Sequence, residues 1–98
     1  MDIVWTWNGK YFGWIDEGGL FAHDGRHVGE FRKENIFSEN GNYIGEILEG
    51  RLLTNEMKKL THSSPGFWPN HQSSKGPAAP PAEQAGRDLP PGYEDFSL

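Results

Sequence analysis

Apolar residues in the first 64 positions fall into short blocks separated by Asn-Gly or Asp-Gly, and the blocks superimpose when the chain is shifted by sixteen residues. The segment Asn8-Gly9-Lys10-Tyr11-Phe12-Gly13 returns as Asp24-Gly25-Arg26-His27-Val28-Gly29 and again as Asn40-Gly41-Asn42-Tyr43-Ile44-Gly45. The flanking columns follow: Val4, Leu20, Ile36 and Leu52; Trp5, Phe21, Phe37 and Leu53; the small residues Thr6, Ala22, Ser38 and Thr54. Asn-Gly or Asp-Gly between β-rich runs predicts a two-residue type I′ hairpin turn, which needs φ > 0 at both central positions. That turn sets Trp7 against Lys10, Thr6 against Tyr11, Trp5 against Phe12 and Val4 against Gly13. The opposed pairs Trp5–Phe12, Phe21–Val28, Phe37–Ile44 and Leu53–Leu60 then form one apolar face.

Phe12 and Ile15 differ in parity, so a bulge or bend at Gly13, and likewise at Gly29 and Gly45, is needed to turn both inward. Asp16–Gly19, Arg32–Asn35 and Leu48–Arg51 read as links between hairpins. The fourth unit replaces Asn-Gly by Glu56-Met57, and Asn55–Thr61 fits a helical turn better. An isolated hairpin is marginal in water. Four of them bury equivalent faces most economically as an all-β rosette or barrel, with the 16-residue hairpin repeats around a pseudo-fourfold axis.

The repeated pattern, apolar-aromatic-x-x-[Asn/Asp]-Gly-x-x-apolar-Gly, carried by Gly9, Gly13, Gly25, Gly29, Gly41 and Gly45, resembles the 4-fold β-flower domain of bacterial proteins over residues 3–62. The resemblance implies four hairpins about a pseudo-fourfold axis. It brings no catalytic or ligand residues with it.

All seven prolines lie at or beyond Pro65, which divides the chain into a hairpin domain, residues 1–63, and a Pro-rich C-terminal tail, residues 64–98. Gly76–Ala82 reads as an extended polyproline-type linker. Pro90-Pro91-Gly92-Tyr93 fits the short Pro-Pro-x-Tyr ligand of WW domains. Leu89, Tyr93, Phe96 and Leu98 make an apolar cluster at the chain's end, with Tyr93 and Phe96 as the expected anchors on the flower's own surface or on a second copy.

Charge narrows the partners. A net charge of −5, with only nine Lys and Arg, argues against nucleic acid, whose affinity comes from phosphate neutralisation. No apolar run approaches the roughly 20 residues that span a bilayer, so no membrane partner is expected. Met1-Asp2-Ile3-Val4-Trp5 does not read as a signal peptide. The sequence contains no cysteine, which fits a cytoplasmic setting.

Candidate chemistry is sparse. His23 and His27 flank a turn and read as surface residues on opposite faces, so no metal site is expected. Glu30 and Glu46 share a column and read as a solvated or Lys/Arg-paired rim, without the nucleophile or oriented base that catalysis requires. No cofactor and no catalytic residue is assigned. Trp7 and Trp14 stand in otherwise polar columns, which marks them as exposed binding residues. The expectation is a non-catalytic interaction or assembly module, binding itself or another protein through Trp7, Trp14, Tyr93 and Phe96. The alternative is a carbohydrate-like small-ligand domain using the exposed aromatics.

Overall fold

The computed structural model describes residues 2–69, 76–77 and 79–98; Ala78, inside the proline-rich stretch, and residues 70–75 lie outside that set. Seven strands follow in antiparallel order: β1 (Asp2–Thr6), β2 (Tyr11–Asp16), β3 (Gly19–Ala22), β4 (His27–Arg32), β5 (Asn35–Phe37), β6 (Tyr43–Leu48) and β7 (Arg51–Asn55). In an up-and-down meander the first and seventh strands run the same way. Closure is therefore parallel, with Trp5 beside Arg51 and Thr6 beside Leu52. A short helix α1 (Lys58–Thr61) follows, and β8 (Tyr93–Asp95) returns from the tail to pair antiparallel with β7.

The Asn-Gly turns differ from the expected form. The amide N–H groups of Gly9, Gly25 and Gly41 donate to the carbonyls of Thr6, Ala22 and Ser38 at 2.9, 2.8 and 2.8 Å. Only the glycines take positive φ, at 94°, 91° and 85°; Asn8, Asp24 and Asn40 do not. These are three-residue loops ending in a left-handed glycine, not two-residue type I′ turns. Each loop gains one residue, and a bulge in the next strand takes it up. Val4 still pairs with Gly13, but Trp5 faces Tyr11, Phe21 faces His27 and Phe37 faces Tyr43. Tight turns with positive φ at both central residues occur instead at Glu17-Gly18 and Glu49-Gly50, in segments expected to be mere links.

The bulge places Phe12, Val28 and Ile44 on the same side as Ile15, Phe31 and Ile47, as the parity argument requires. All six pack on a central cluster of Val4, Leu20, Ile36, Leu52 and Phe96. Successive strand residues point to opposite faces, so the neighbouring column turns outward from that cluster. Phe21, Phe37 and Leu53 are buried there in a second layer, where Phe21 stacks on Trp14 with centroids 6.0 Å apart. The single core expected from Trp5 through Leu60 is thus two layers. Leu60 lies in neither, being 84% exposed on α1.

Truncating Ile36 to Ala should cost about 2–5 kcal/mol, the usual range for emptying a buried aliphatic site. Leu60→Ala should stay within about 0.5 kcal/mol. Urea unfolding of both variants checks the assignment of layers.

Candidate functional site: the face that carries the tail

The described parts of the tail touch the third, second and first hairpins and then β7, and these contacts explain where most of the candidate residues lie. The tail leaves α1 past the third Asn-Gly turn, where Ser64 N–H donates to Gly41 O at 2.9 Å. Phe67 N–H then donates to Glu39 O at 3.1 Å. The Phe67 ring covers the His27 imidazole with centroids 4.8 Å apart, and Phe21 stacks on the same imidazole, also at 4.8 Å. Gly76 lies against the Trp14 ring so closely that a Cβ there would clash with it.

Further along, Trp5 Nε1–H donates to Ala82 O and Trp7 Nε1–H to Asp88 O, each at 3.0 Å. Gln84 N–H donates to Gly9 O at 2.7 Å. The buried Arg51 guanidinium ties both sides together, donating from Nη1 to Trp7 O at 2.9 Å and to Ala85 O at 2.6 Å. Pro90-Pro91-Gly92-Tyr93 forms a tight turn, with Tyr93 N–H on Pro90 O at 3.2 Å and Gly92 at φ 82°. That geometry, with proline then left-handed glycine at the centre, is a type II turn.

β8 then pairs Tyr93, Glu94 and Asp95 with Asn55, Thr54 and Leu53. Asp95 Oδ1 accepts from Trp7 N–H at 2.8 Å and Oδ2 from Asn8 N–H at 3.2 Å, so one carboxylate caps the first Asn-Gly turn. Phe96 enters the core edge-on to Phe12, with centroids 5.2 Å apart and planes at 89°. It fits because Gly45 has no side chain; a Cβ there would sit 2.6 Å from the Phe96 ring.

The profile of the family described as 4-fold beta flower protein matches residues 1–94, which take in the whole meander and most of the tail strand. The chain belongs to that family. No significantly similar chain is found among curated proteins or among solved structures.

Within the flower, the four binding candidates separate. Trp7 and Trp14, expected to be exposed, are 5% and 2% exposed, because the chain's own tail covers them. Phe96 is buried and Tyr93 is half-buried in β8, whereas Leu89 and Leu98 remain largely exposed. His27, expected at the surface, is buried within 3.3 Å of Glu30 Oε1. His23 stays exposed, 6.4 Å from the Tyr11 ring.

Glu46, expected on a solvated or Lys/Arg-paired rim, is paired with a lysine but buried. Its Oε1 accepts from Tyr43 Oη at 2.9 Å, and Lys58 Nζ lies 3.4 Å from it. Glu30 and Glu46 therefore serve separate local pairs. Among the described residues, no group of three or more His, Asp or Glu side chains is placed to hold a metal ion. Nor is any helix among them long and apolar enough to cross a membrane.

Sequence reasoning missed Asp95 and Arg51. Their partners are backbone groups, which leave no mark in a residue pattern.

Burial holds the Tyr43 hydroxyl well above the usual tyrosine pKa. The Glu46 carboxylate adds to this, while the Asn55 N–H works against it. The folded chain thus keeps the proton that the unfolded chain gives up above about pH 10. Above that pH the unfolded state binds fewer protons, so stability falls as pH rises, by about 1.4 kcal/mol per pH unit per proton. Urea unfolding at pH 9, 10 and 11 should show this slope, and Tyr43→Phe should reduce it. A residue of slope should persist from Tyr11, whose pKa is raised by burial in the same direction.

Proposed function

We propose that this flower is a non-catalytic protein-interaction module that takes up an extended segment by strand addition. The observation that carries this reading is β8 with Phe96. A stretch about 40 residues away in sequence supplies backbone pairing along β7 and one aromatic anchor in a notch over Gly45. Strand addition with a side-chain pocket is an established way to hold peptides: main-chain bonds give affinity and the pocket gives selectivity. The segment's own marks are an acidic residue that caps the Trp7–Asn8 turn, followed by an aromatic one. Each copy carries both acceptor and segment, so an assembly formed by exchanging tails is the arrangement this reading favours. A cytoplasmic setting belongs to the same reading and is supported by the cysteine-free sequence. The alternative, sugar stacking on Trp7 and Trp14, loses its platform because both rings are buried.

Full-length Phe96→Ala should lose about 3–5 kcal/mol, the usual range for a buried Phe. A synthetic peptide of residues 89–98 should raise its melting temperature saturably, adding about 2.7 kcal/mol at a hundred times its Kd. The same peptide with its own Phe replaced by Ala should do nothing. If Phe96→Ala melts with the wild type, or stays folded and ignores the peptide, the proposal is wrong. If Phe96→Ala does not fold, Phe96→Leu takes its place.

A further inference from the structure

The tail between Gly76 and Asp88 makes a different kind of contact from β8. Among its described residues, none belongs to a helix or strand and no backbone hydrogen bond runs within it. Its carbonyls are therefore available, and two of them accept from indoles: Ala82 O from Trp5 and Asp88 O from Trp7. Pro77 and Pro80 line a cleft with Tyr11, Trp14 and His23. The Arg87 guanidinium lies over the Trp7 ring, 5.6 Å from its centroid. An indole N–H donating to the carbonyl at the end of a proline-rich stretch, a second donating six residues further on, and aromatic rings that line one cleft with its prolines are physical elements by which polyproline segments are recognised.

We infer that the outer face formed by Trp5, Trp7, Tyr11 and Trp14 is a recognition groove for proline-rich segments, held in cis by the tail and able to take the same segment from a second copy of this chain. Two observations support the trans occupant. The sequence that fits the groove is present in every copy, and a cleft of about 440 Å³ stays open beside Pro77 and Pro80. The inference rests on the interaction-module reading, but its test reads the indole N–H groups of Trp5 and Trp7, which bond to Ala82 O and Asp88 O and not to β7 or Phe96, so the two can fail separately.

The test uses the full chain, ¹⁵N-labelled, titrated with an unlabelled peptide of residues 76–88. A second protein, Gln84→Pro, loses the N–H that donates to Gly9 O and so loosens the cis tail without altering the groove. The indole N–H signals of Trp5 and Trp7 should shift saturably, with at least tenfold tighter binding to Gln84→Pro than to wild type. The indole of Trp68, 93% exposed and outside the groove, should not move. A peptide with its three prolines changed to Ser should bind at least tenfold more weakly. Light scattering on Gln84→Pro should show a reversible dimer that the 76–88 peptide dissolves.

Unmoved Trp5 and Trp7 signals in both proteins, or equal binding of the serine peptide, would overturn the groove. Peptide binding by a chain that stays monomeric would overturn the second copy as its source. A failed strand-addition test with Phe96→Ala leaves these readouts intact.

Discussion

The structure depends on what β7 needs along its two edges. Buried backbone N–H and C=O groups must find partners, and an exposed strand edge invites unwanted pairing. β6 covers one edge of β7. On the other edge, β1 reaches only Arg51 and Leu52, because closure of a seven-strand meander is parallel and staggered. Leu53, Thr54 and Asn55 are left over. They are buried or half-buried, so leaving them unpaired would be costly. β8 meets that need with three paired residues, and Phe96 follows directly into the core.

The fourth unit could not supply this strand itself. Without glycine after Asn55 there is no residue suited to the left-handed position that closes the other three loops. Asn55 turns its side chain inward instead, accepting from the N–H groups of Met57 and Lys58 at 2.9 and 3.2 Å, and the chain coils into α1. Lys58 then reaches back to Asn35 Oδ1 at 2.8 Å and to Glu46, fixing the helix over β5 and β6. A loss of repeat symmetry in sequence thus has a definite spatial result: a vacant strand position beside β7, which the tail fills. Lys59 marks the connection, its Nζ lying 2.7 Å from Glu94 in β8.

Much of the fold was legible in the residues because its determinants are local. The sixteen-residue columns place Val4, Leu20, Ile36 and Leu52 at equivalent depth, and the parity of Phe12 and Ile15 demands a bulge. The turn type was misread because Asn-Gly serves two hairpin forms. A three-residue loop plus a bulge restores the same Val4–Gly13 pair as a two-residue turn without one, so the residue pattern further along the strands does not separate them. The site was less legible. Trp7 and Trp14 look exposed when only the hairpins are considered, since what buries them lies some 60–80 residues further on. Asp95 and Arg51 act on main-chain groups, whose positions follow from the completed fold.

The tail's two ends are held differently from its middle, and that difference shapes what the flower can do. At one end Ser64 and Phe67 bond to the third turn, and at the other β8 and Phe96 are built into sheet and core. Among the described residues between them, the hydrogen bonds are single ones to indoles, a turn carbonyl and Arg51, and the ring contacts are Gly76 on Trp14 and Arg87 on Trp7. The neutral bonds contribute only about 0.5–1.5 kcal/mol each and the one from the Arg51 guanidinium about 1.5–3 kcal/mol, and free energies of local opening are lowest where few apolar contacts are buried. Loosening the middle while both ends stay fixed frees only a closed loop, and the closure entropy of a loop grows slowly with its length. On the reading proposed above, the segment from Gly76 to Asp88 is the part of the tail that leaves Trp5 and Trp7 while the barrel, completed by β8, stays intact.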